Sequence, residues 1–257
     1  MKKLLTIFVL LLLQGSLCAQ SRELRIMSYN LRFGELATME QIGRYIAQED
    51  PDLVALQECD WDTCRERAPK QHHVRFVNEL GQITGMFTAY GKALDYKGGY
   101  YGIGILSKYP IIRTERVLLP HNGRAEQRVM LVVDVEMPDR KTVTFACTHL
   151  EVSSSEARYE QAGFINAYFA RPAYPTFLAG DMNAAPESPE MQRLTGDGWQ
   201  ALTNLDPTYP ANAPTIKIDH IFYRGAEPLK LKRTVTGKDN RLSDHRSVIS
   251  EVTLGEK

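Results

Sequence analysis

Six short stretches of this chain close an apolar run with an acid, an amide or an imidazole. They are Ser28-Tyr29-Asn30, Leu56-Gln57-Glu58, Thr148-His149-Leu150, Gly180-Asp181-Met182-Asn183, Ile218-Asp219-His220 and Ser243-Asp244-His245. Singly, each has an ordinary reading. Asn30 suits a turn, Glu58 a solvated strand end, His149 a hydrogen-bonded structural position. Together they describe one chemistry, hydrolysis of a phosphate ester with a hard cation. Glu58 and Asp244 are hard oxygen donors, and Asn30 can add an amide oxygen, a set suited to Mg²⁺ or Mn²⁺. A metal on a phosphate oxygen stabilises the charge that builds on the phosphoryl group. Asp181 can orient and deprotonate an attacking water. Asn183 can donate to a phosphate oxygen without adding negative charge. A histidine beside a carboxylate can act as acid, base or charge stabiliser near neutral pH, and His149 and His245 are both available.

These groups need elements to carry them. Leu24–Tyr29 and Asp52–Gln57 read as strands, as do Ile103–Leu106, Arg116–Leu119, Val129–Val135, Val143–Cys147 and Pro175–Ala179. Ile218–Tyr223, Leu229–Val235 and Val248–Val252 close the chain as strands. Thr38–Gln48 carries Met39, Ile42 and Ile46 at helical spacing, and Gln71–Thr84 carries Val74, Val77, Leu80 and Ile83. Ser153-Ser154-Ser155-Glu156 is a capping-box pattern opening a helix to about Phe169, and Ser188–Leu194 is a short helix. Residues 203–215 read as a Pro-rich loop. Ligands of α/β folds often sit beyond one set of strand ends, so the six polar ends are candidates to converge.

Residues 1–19 stand apart. Met1-Lys2-Lys3 precedes an apolar run from Leu4 to Leu13 and then Gln-Gly-Ser-Leu-Cys-Ala. This reads as a signal peptide cut after Ala19, and the run is short for a membrane span. The expected product is an exported protein, periplasmic or secreted. Lipidation at Cys18 is the weaker alternative, because Leu17 is bulky for such a site. Residues 20–257 read as a single catalytic domain, with 43% hydrophobic and 24% charged residues over the whole chain. Taking Lys2 and Lys3 from the 31 basic residues leaves 29 against 31 acidic, a net of −2. That balance is not the basic excess of a protein that lives on duplex DNA. Cys59, Cys64 and Cys147 remain. The first two are near enough in sequence to pair, and sequence does not decide whether they do. No C-x-x-C or zinc spacing is present.

The ordered motifs resemble those of the endonuclease/exonuclease/phosphatase superfamily. They run M-S-Y-N-L at 27–31, Q-E at 57–58, Y-G-I-G-I-L-S-K-Y-P at 101–110, T-H-L at 148–150, G-D-M-N at 180–183, I-D-H-I-F at 218–222 and S-D-H at 243–245. The resemblance spans residues 24–252. It implies an α/β (α+β) four-layer sandwich of the deoxyribonuclease I type, with two central, mostly antiparallel sheets flanked by helices. It implies a Mg²⁺-dependent hydrolase of phosphate esters with Glu58 as the main metal ligand and Asn30 and Asp244 beside it. Asp181 and Asn183 would serve nucleophile and phosphate, and Asp219 would orient His245 toward the scissile phosphate. His149 is similar to the histidine of the deoxyribonuclease and sphingomyelinase branches. Arg128 stands where relatives have an arginine near the site, as a phosphate contact or a structural salt bridge. Tyr101, which opens its motif, is the remaining candidate substrate contact. Ile103-Gly104 departs from the Asn-Ala common before I-L-S, which removes a polar contact.

Three functions compete. The first is an exported metal-dependent phosphodiesterase or phosphatase acting on a small or lipid-linked phosphate, which the near-zero charge favours. The second is a secreted nuclease for DNA or RNA, for which Lys230-Leu231-Lys232-Arg233 is the clearest basic run. The third, a catalytically dead binding domain, conflicts with nearly every catalytic position being filled. A monomer without a stable protein partner is expected.

Overall fold

Apolar residues at period two lie on one face of a strand, and at period 3.6 on one face of a helix. The computed structural model describes residues 22–255 apart from 122 and 124. The expected signal peptide lies outside the described residues. In chain order the elements are β1 (Arg22–Asn30), α1 (Met39–Glu49), β2 (Leu53–Trp61), α2 (Phe76–Thr84), β3 (Phe87–Tyr96) and β4 (Gly99–Ser107). There follow β5 (Ile111–Leu118), β6 (Val129–Glu136), β7 (Thr142–His149), α3 (Ser155–Tyr168), β8 (Thr176–Asp181) and α4 (Pro189–Gly196). The chain closes with β9 (Gln200–Ala201), β10 (Asp219–Arg224), β11 (Leu229–Thr236) and β12 (Val248–Leu254).

The strands make two six-stranded sheets, β11-β12-β1-β2-β4-β3 and β5-β6-β7-β8-β10-β9. Both are antiparallel except for a central parallel pair, β1–β2 in one and β7–β8 in the other. One apolar core fills the space between the sheets, with Ile26, Ala55, Ile105, Leu131, Phe145, Phe177 and Ile221 fully buried. A second joins α1 and α2 to the outer face of the first sheet through Met27, Ile42, Val54 and Leu80. A third joins α3 and α4 to the second sheet through Ala146, Ile165, Leu178 and Leu194. These are the four expected layers.

Strand parity decides where the polar ends go. On β1, Leu24 and Ile26 face the other sheet while Met27 and Tyr29 face the helices. Asn30 therefore falls on the inter-sheet parity. The same holds for His149 after Phe145 and Cys147, for Asp181 after Phe177 and Ala179, and for Asp219 before Ile221 and Tyr223. The candidate site is the polar continuation of the stripe that forms the central core.

Several boundaries differ from the sequence reading. Helix α2 begins at Phe76, because residues before it pair with the end of β2: Trp61 and Arg75 form a bridge, and the Asp62 N–H donates to the Val74 carbonyl at 3.1 Å. Strand β3 and the two-residue β9 have weak apolar alternation and were not expected. Ser154, not Ser153, caps α3, accepting from the Ala157 N–H at 3.1 Å, while the Ser153 hydroxyl donates to Glu151 at 2.7 Å. Thr38 caps α1 in a full capping box with Gln41. Cys59, Cys64 and Cys147 are all free thiols. Cys59 is buried in the helix-side core, whereas Cys64 is exposed with its sulfur 3.4 Å from His73 Nε2.

Candidate active site

The two parallel strand pairs, with β10 beside the second, bring five polar residues to one end of the sandwich. Asn30 sits opposite Gln57 on β2, His149 opposite Asp181 on β8, and Asp219 opposite Asp181 from the antiparallel side. Close packing of β7 against β8 requires Gly180. A Cβ there would lie 2.0 Å from the Thr148 carbonyl oxygen on the neighbouring strand. The Gly in L-A-G-D-M-N-A is therefore set by strand packing.

Glu58 arrives by a different device. From Leu56 to Cys59 the β2 register advances three residues while β4 advances two, from Gly104 to Gly102. Gln57 and Glu58 thus stand opposite Ile103 in a β-bulge, and Glu58 has a left-handed backbone (φ 58°). Bulges re-aim side chains, and a non-glycine residue in this region is held there by its surroundings. By simple alternation Glu58 would face α1 and α2. The bulge turns it to the cavity instead.

The cavity has a volume of about 480 Å³. Its walls include Glu58, Tyr101, Arg128, His149, Asp181, Asn183, Asp244 and His245. Asn30 and Asp219 are fully buried behind these walls. Asn30 Nδ2 donates to Glu58 Oε1 at 3.2 Å and to Asp181 Oδ2 at 3.0 Å. Its Oδ1 accepts the Arg32 N–H at 2.9 Å. Asn30 therefore bridges two acids through its donors, and its oxygen is already engaged by backbone. Asp181 Oδ1 accepts the Asn183 N–H at 2.9 Å, while His149 Nε2 and His245 Nε2 lie 3.5 Å and 3.7 Å from Asp181 Oδ2. His245 Nδ1 faces Asp219 Oδ2 at 3.1 Å, which leaves Nε2 directed to Asp181. One amide hydrogen of Asn183 goes to the Leu150 carbonyl at 3.0 Å, leaving the other for a ligand.

Burial opposes every charge here, and neighbours decide which survive. Burial raises the Glu58 carboxyl above its ordinary range against the Asn30 hydrogen bond. Burial also raises Asp181, with Asp219 adding to the effect and the His245 charge opposing it. Burial, the Arg128 charge and the His245 charge hold His149 well below an ordinary imidazole, so it is neutral. For His245, burial would lower the value, but Asp219 and Asp181 outweigh it and raise it to about 10. The imidazolium and the Thr208 hydroxyl in turn hold Asp219 low despite its burial.

Arg128 is buried between two acids, with Nη2 3.3 Å from Glu126 and Nε 3.7 Å from Glu151. It lines the cavity and forms the structural ion pair that was one of its two sequence readings. Ile103 is packed in the central core, and a Cβ on Gly104 would meet Val77 of α2 at 2.4 Å, so neither position serves the site. Sequence reasoning missed Arg32, whose guanidinium pairs with Asp244 and Glu35. It also missed Lys217, which is buried, lacks a hydrogen-bond partner and adds a positive charge acting on Asp219. Tyr209, Val152, Ile216 and Ile218 complete the walls. Their signal was weak, because they lie in segments read as loops or as an ordinary strand start.

Among the described residues, ligand atoms of Asp181, Asp219 and His245 lie within 4.8 Å of one another, a buried Asp–Asp–His cluster. The family model for the Endonuclease/Exonuclease/phosphatase family matches residues 27–245. The chain is 24% identical to the YbhP protein of Escherichia coli K12 over 202 residues, covering 74% of this chain and 76% of that protein. It is similar in fold to an endonuclease/exonuclease/phosphatase from Beutenbergia cavernae (TM-score 0.76, 22% identity, 91% of this chain and 72% of that one). It is also similar to the mannosyl-6-phosphatase Bt3783 of Bacteroides thetaiotaomicron (TM-score 0.73, 18% identity, 89% and 99%). With this match over most of its length, the chain belongs to the endonuclease/exonuclease/phosphatase family, whose members hydrolyse phosphoester bonds.

Proposed function

We propose that this protein is an exported, Mg²⁺- or Mn²⁺-dependent phosphodiesterase or phosphatase acting on a small or lipid-linked phosphate ester. The observation that carries this reading is Asp181. Its Oδ2 lies 3.0 Å from Asn30, 3.5 Å from His149 and 3.7 Å from His245, at the wall of a cavity that also holds Glu58 and Asp244. Asp181 receives a proton from the attacking water, and its raised affinity for protons suits that task. His245, held by Asp219, presents a charged Nε2 to the developing phosphoryl charge. Neutral His149 and the spare amide hydrogen of Asn183 add hydrogen bonds without a second cation.

A divalent cation fits the donor set. Glu58, Asp181 and Asp244 line a cavity in which Arg128 is paired with Glu126 and Glu151, and Asp244 also meets the Arg32 guanidinium. Glu58 and Asp244 would hold the ion, which supplies charge stabilisation on the phosphate oxygens. The Asp181–Asp219–His245 cluster suits it less, because a ligating imidazole must be neutral and His245 binds its proton tightly. Asn30 supports Glu58 and Asp181 through its Nδ2, and its Oδ1, which accepts the Arg32 N–H, keeps a second lone pair for an ion held by Glu58 and Asp244.

The nuclease reading has less support. Arg32, Arg65 and Arg67 near the site are paired with Asp244, Asp60 and Glu35, and Lys232 of the basic run on β11 pairs with Glu23. The test is a panel of DNA, sphingomyelin, inositol phosphates and bis-p-nitrophenyl phosphate with Mg²⁺, Mn²⁺ or EDTA. Hydrolysis that EDTA abolishes and Mg²⁺ or Mn²⁺ restores is expected, and full turnover after exhaustive chelation would end the metal assignment. Export is tested by mass spectrometry: a mature start at Gln20 is expected, and an intact Met1 in the cytosolic fraction contradicts it.

A further inference from the structure

Part of the active-site cavity lining is apolar, and none of the catalytic residues accounts for it. Val152, Tyr209, Ile216 and Ile218 supply this apolar lining. Val152 is 61% exposed and Ile216 44% exposed, although both line a cavity floored with acids and imidazoles. Scattered surface aliphatics are ordinary, but these converge on one site and are held there by backbone.

The segment read as a Pro-rich loop, residues 203–215, together with Ile216 forms a small hairpin. Tyr209 and Ile216 exchange N–H···O bonds, each 3.1 Å, and form an antiparallel bridge. The base of the hairpin is fastened to the catalytic elements. The Thr208 hydroxyl accepts the N–H groups of Ile218 and Asp219 at 3.3 and 3.4 Å. The Arg246 N–H donates to the Thr208 carbonyl at 2.9 Å, and the Ala211 N–H donates to the Asp244 carbonyl at 2.6 Å. The Tyr209 ring lies 4.9 Å from the His245 ring, so the apolar wall begins at the catalytic imidazole. Val152 is also pinned, its carbonyl accepting from Arg158 Nη1 at 3.0 Å. This is a preformed apolar surface beside the position of the reacting phosphate, the usual make-up of a specificity pocket.

We propose that this wall seats the group esterified to the phosphate, and that preferred substrates carry an apolar alkyl or aryl substituent there rather than a sugar or polyol. The proposal rests on the phosphate-ester hydrolysis proposed above. A polyol gains little from Val152 and Ile216, whose side chains offer no hydrogen bonds, whereas an alkyl or aryl group buries apolar area against them.

The test uses methyl, butyl and phenyl phosphates and mannose 6-phosphate, with the first three also run as p-nitrophenyl diesters, all with Mg²⁺. In the wild-type protein kcat/KM should rise about tenfold from the methyl ester to the butyl or phenyl ester, the low end expected for methylenes in a half-open pocket. Mannose 6-phosphate should stay near the methyl value. In the double variant Val152→Thr/Ile216→Thr, the rise from the methyl to the butyl or phenyl ester should vanish, and the loss should appear in KM rather than in kcat for the larger esters. A gain with butyl alone identifies an alkyl substituent, and a gain with phenyl alone an aryl one. Equal kcat/KM across the series, or a rise that survives in the double variant, overturns the proposal while leaving hydrolysis standing. Absence of turnover on every ester here and in the broader panel overturns both readings.

Discussion

Asp181 meets two histidines, an asparagine and a backbone N–H within one carboxylate's reach, so its chemistry cannot be separated from its neighbours. His245 is 3.7 Å away and is oriented by Asp219. We therefore expect Asp181→Asn and His245→Ala each to lower kcat by about 10²-fold or more, the usual scale for acid–base groups. The double variant should lose far less than the product, because residues acting as a unit are non-additive. Fully multiplicative losses in steady-state kinetics would show that the two act on separate steps. Asp181→Asn with unchanged turnover on every substrate would reduce L-A-G-D-M-N-A to a turn. The residue types and their order were legible in the sequence. The engagement of Asn30 Oδ1 by Arg32 and the Arg32–Asp244 pair were not, because they depend on which atoms face each other after folding.

At the scale of elements, the site depends on how closely neighbouring strands approach. Gly180 lets β8 lie against Thr148 of β7, and these strands carry Asp181 and His149. Gly180→Ala places a methyl 2.0 Å from a carbonyl oxygen, and the strands have to separate. Overpacking of this kind costs about 1–3 kcal/mol. Urea unfolding should show a loss in that range, and the folded fraction should have reduced kcat because His149 and Asp181 are displaced relative to each other. A variant as stable and active as the wild type would show that the strands adjust freely. The strands themselves were legible from period-two alternation, with the weakly patterned β3 and β9 as exceptions. The bulge that aims Glu58 was not, since an inserted residue is defined only against the partner strand.

For the molecule as a whole, buried imidazoles link stability to pH. His220 is buried against Phe222, its Nε2 has no hydrogen-bond partner, and burial lowers its pKa from 6.5 to about 4. The unfolded chain takes up a proton at this group below pH 6.5, whereas the folded chain resists until about pH 4. Its contribution is therefore fully present above 6.5 and is lost as pH falls toward 4, by ~3 kcal/mol in all. Denaturant midpoints measured at pH 7.5 and 5 should show the wild type losing stability on acidification. His220→Phe should flatten that dependence, whatever its absolute stability, and an identical slope would assign the acid sensitivity elsewhere. The sequence could not have located this group, because His220 has the same residue type and neighbourhood as an active-site histidine. Strand parity turns it toward the α3–α4 side while its neighbour Asp219 faces the site.

The amino-acid sequence by itself determined the chemical inventory and the parity on which most of it rides. Asn30, His149, Asp181 and Asp219 each lie an even number of residues from an inter-sheet core residue, so local alternation already placed them on one face. The tertiary structure decided the rest. It paired Asn30 with Asp181 across 151 residues, turned Glu58 through a bulge and pinned a hairpin of apolar residues beside His245. The physical reason is range: periodicity is written in neighbouring residues, whereas register shifts and side-chain partners are set by strands distant in the chain that meet only when the two sheets close on their shared core.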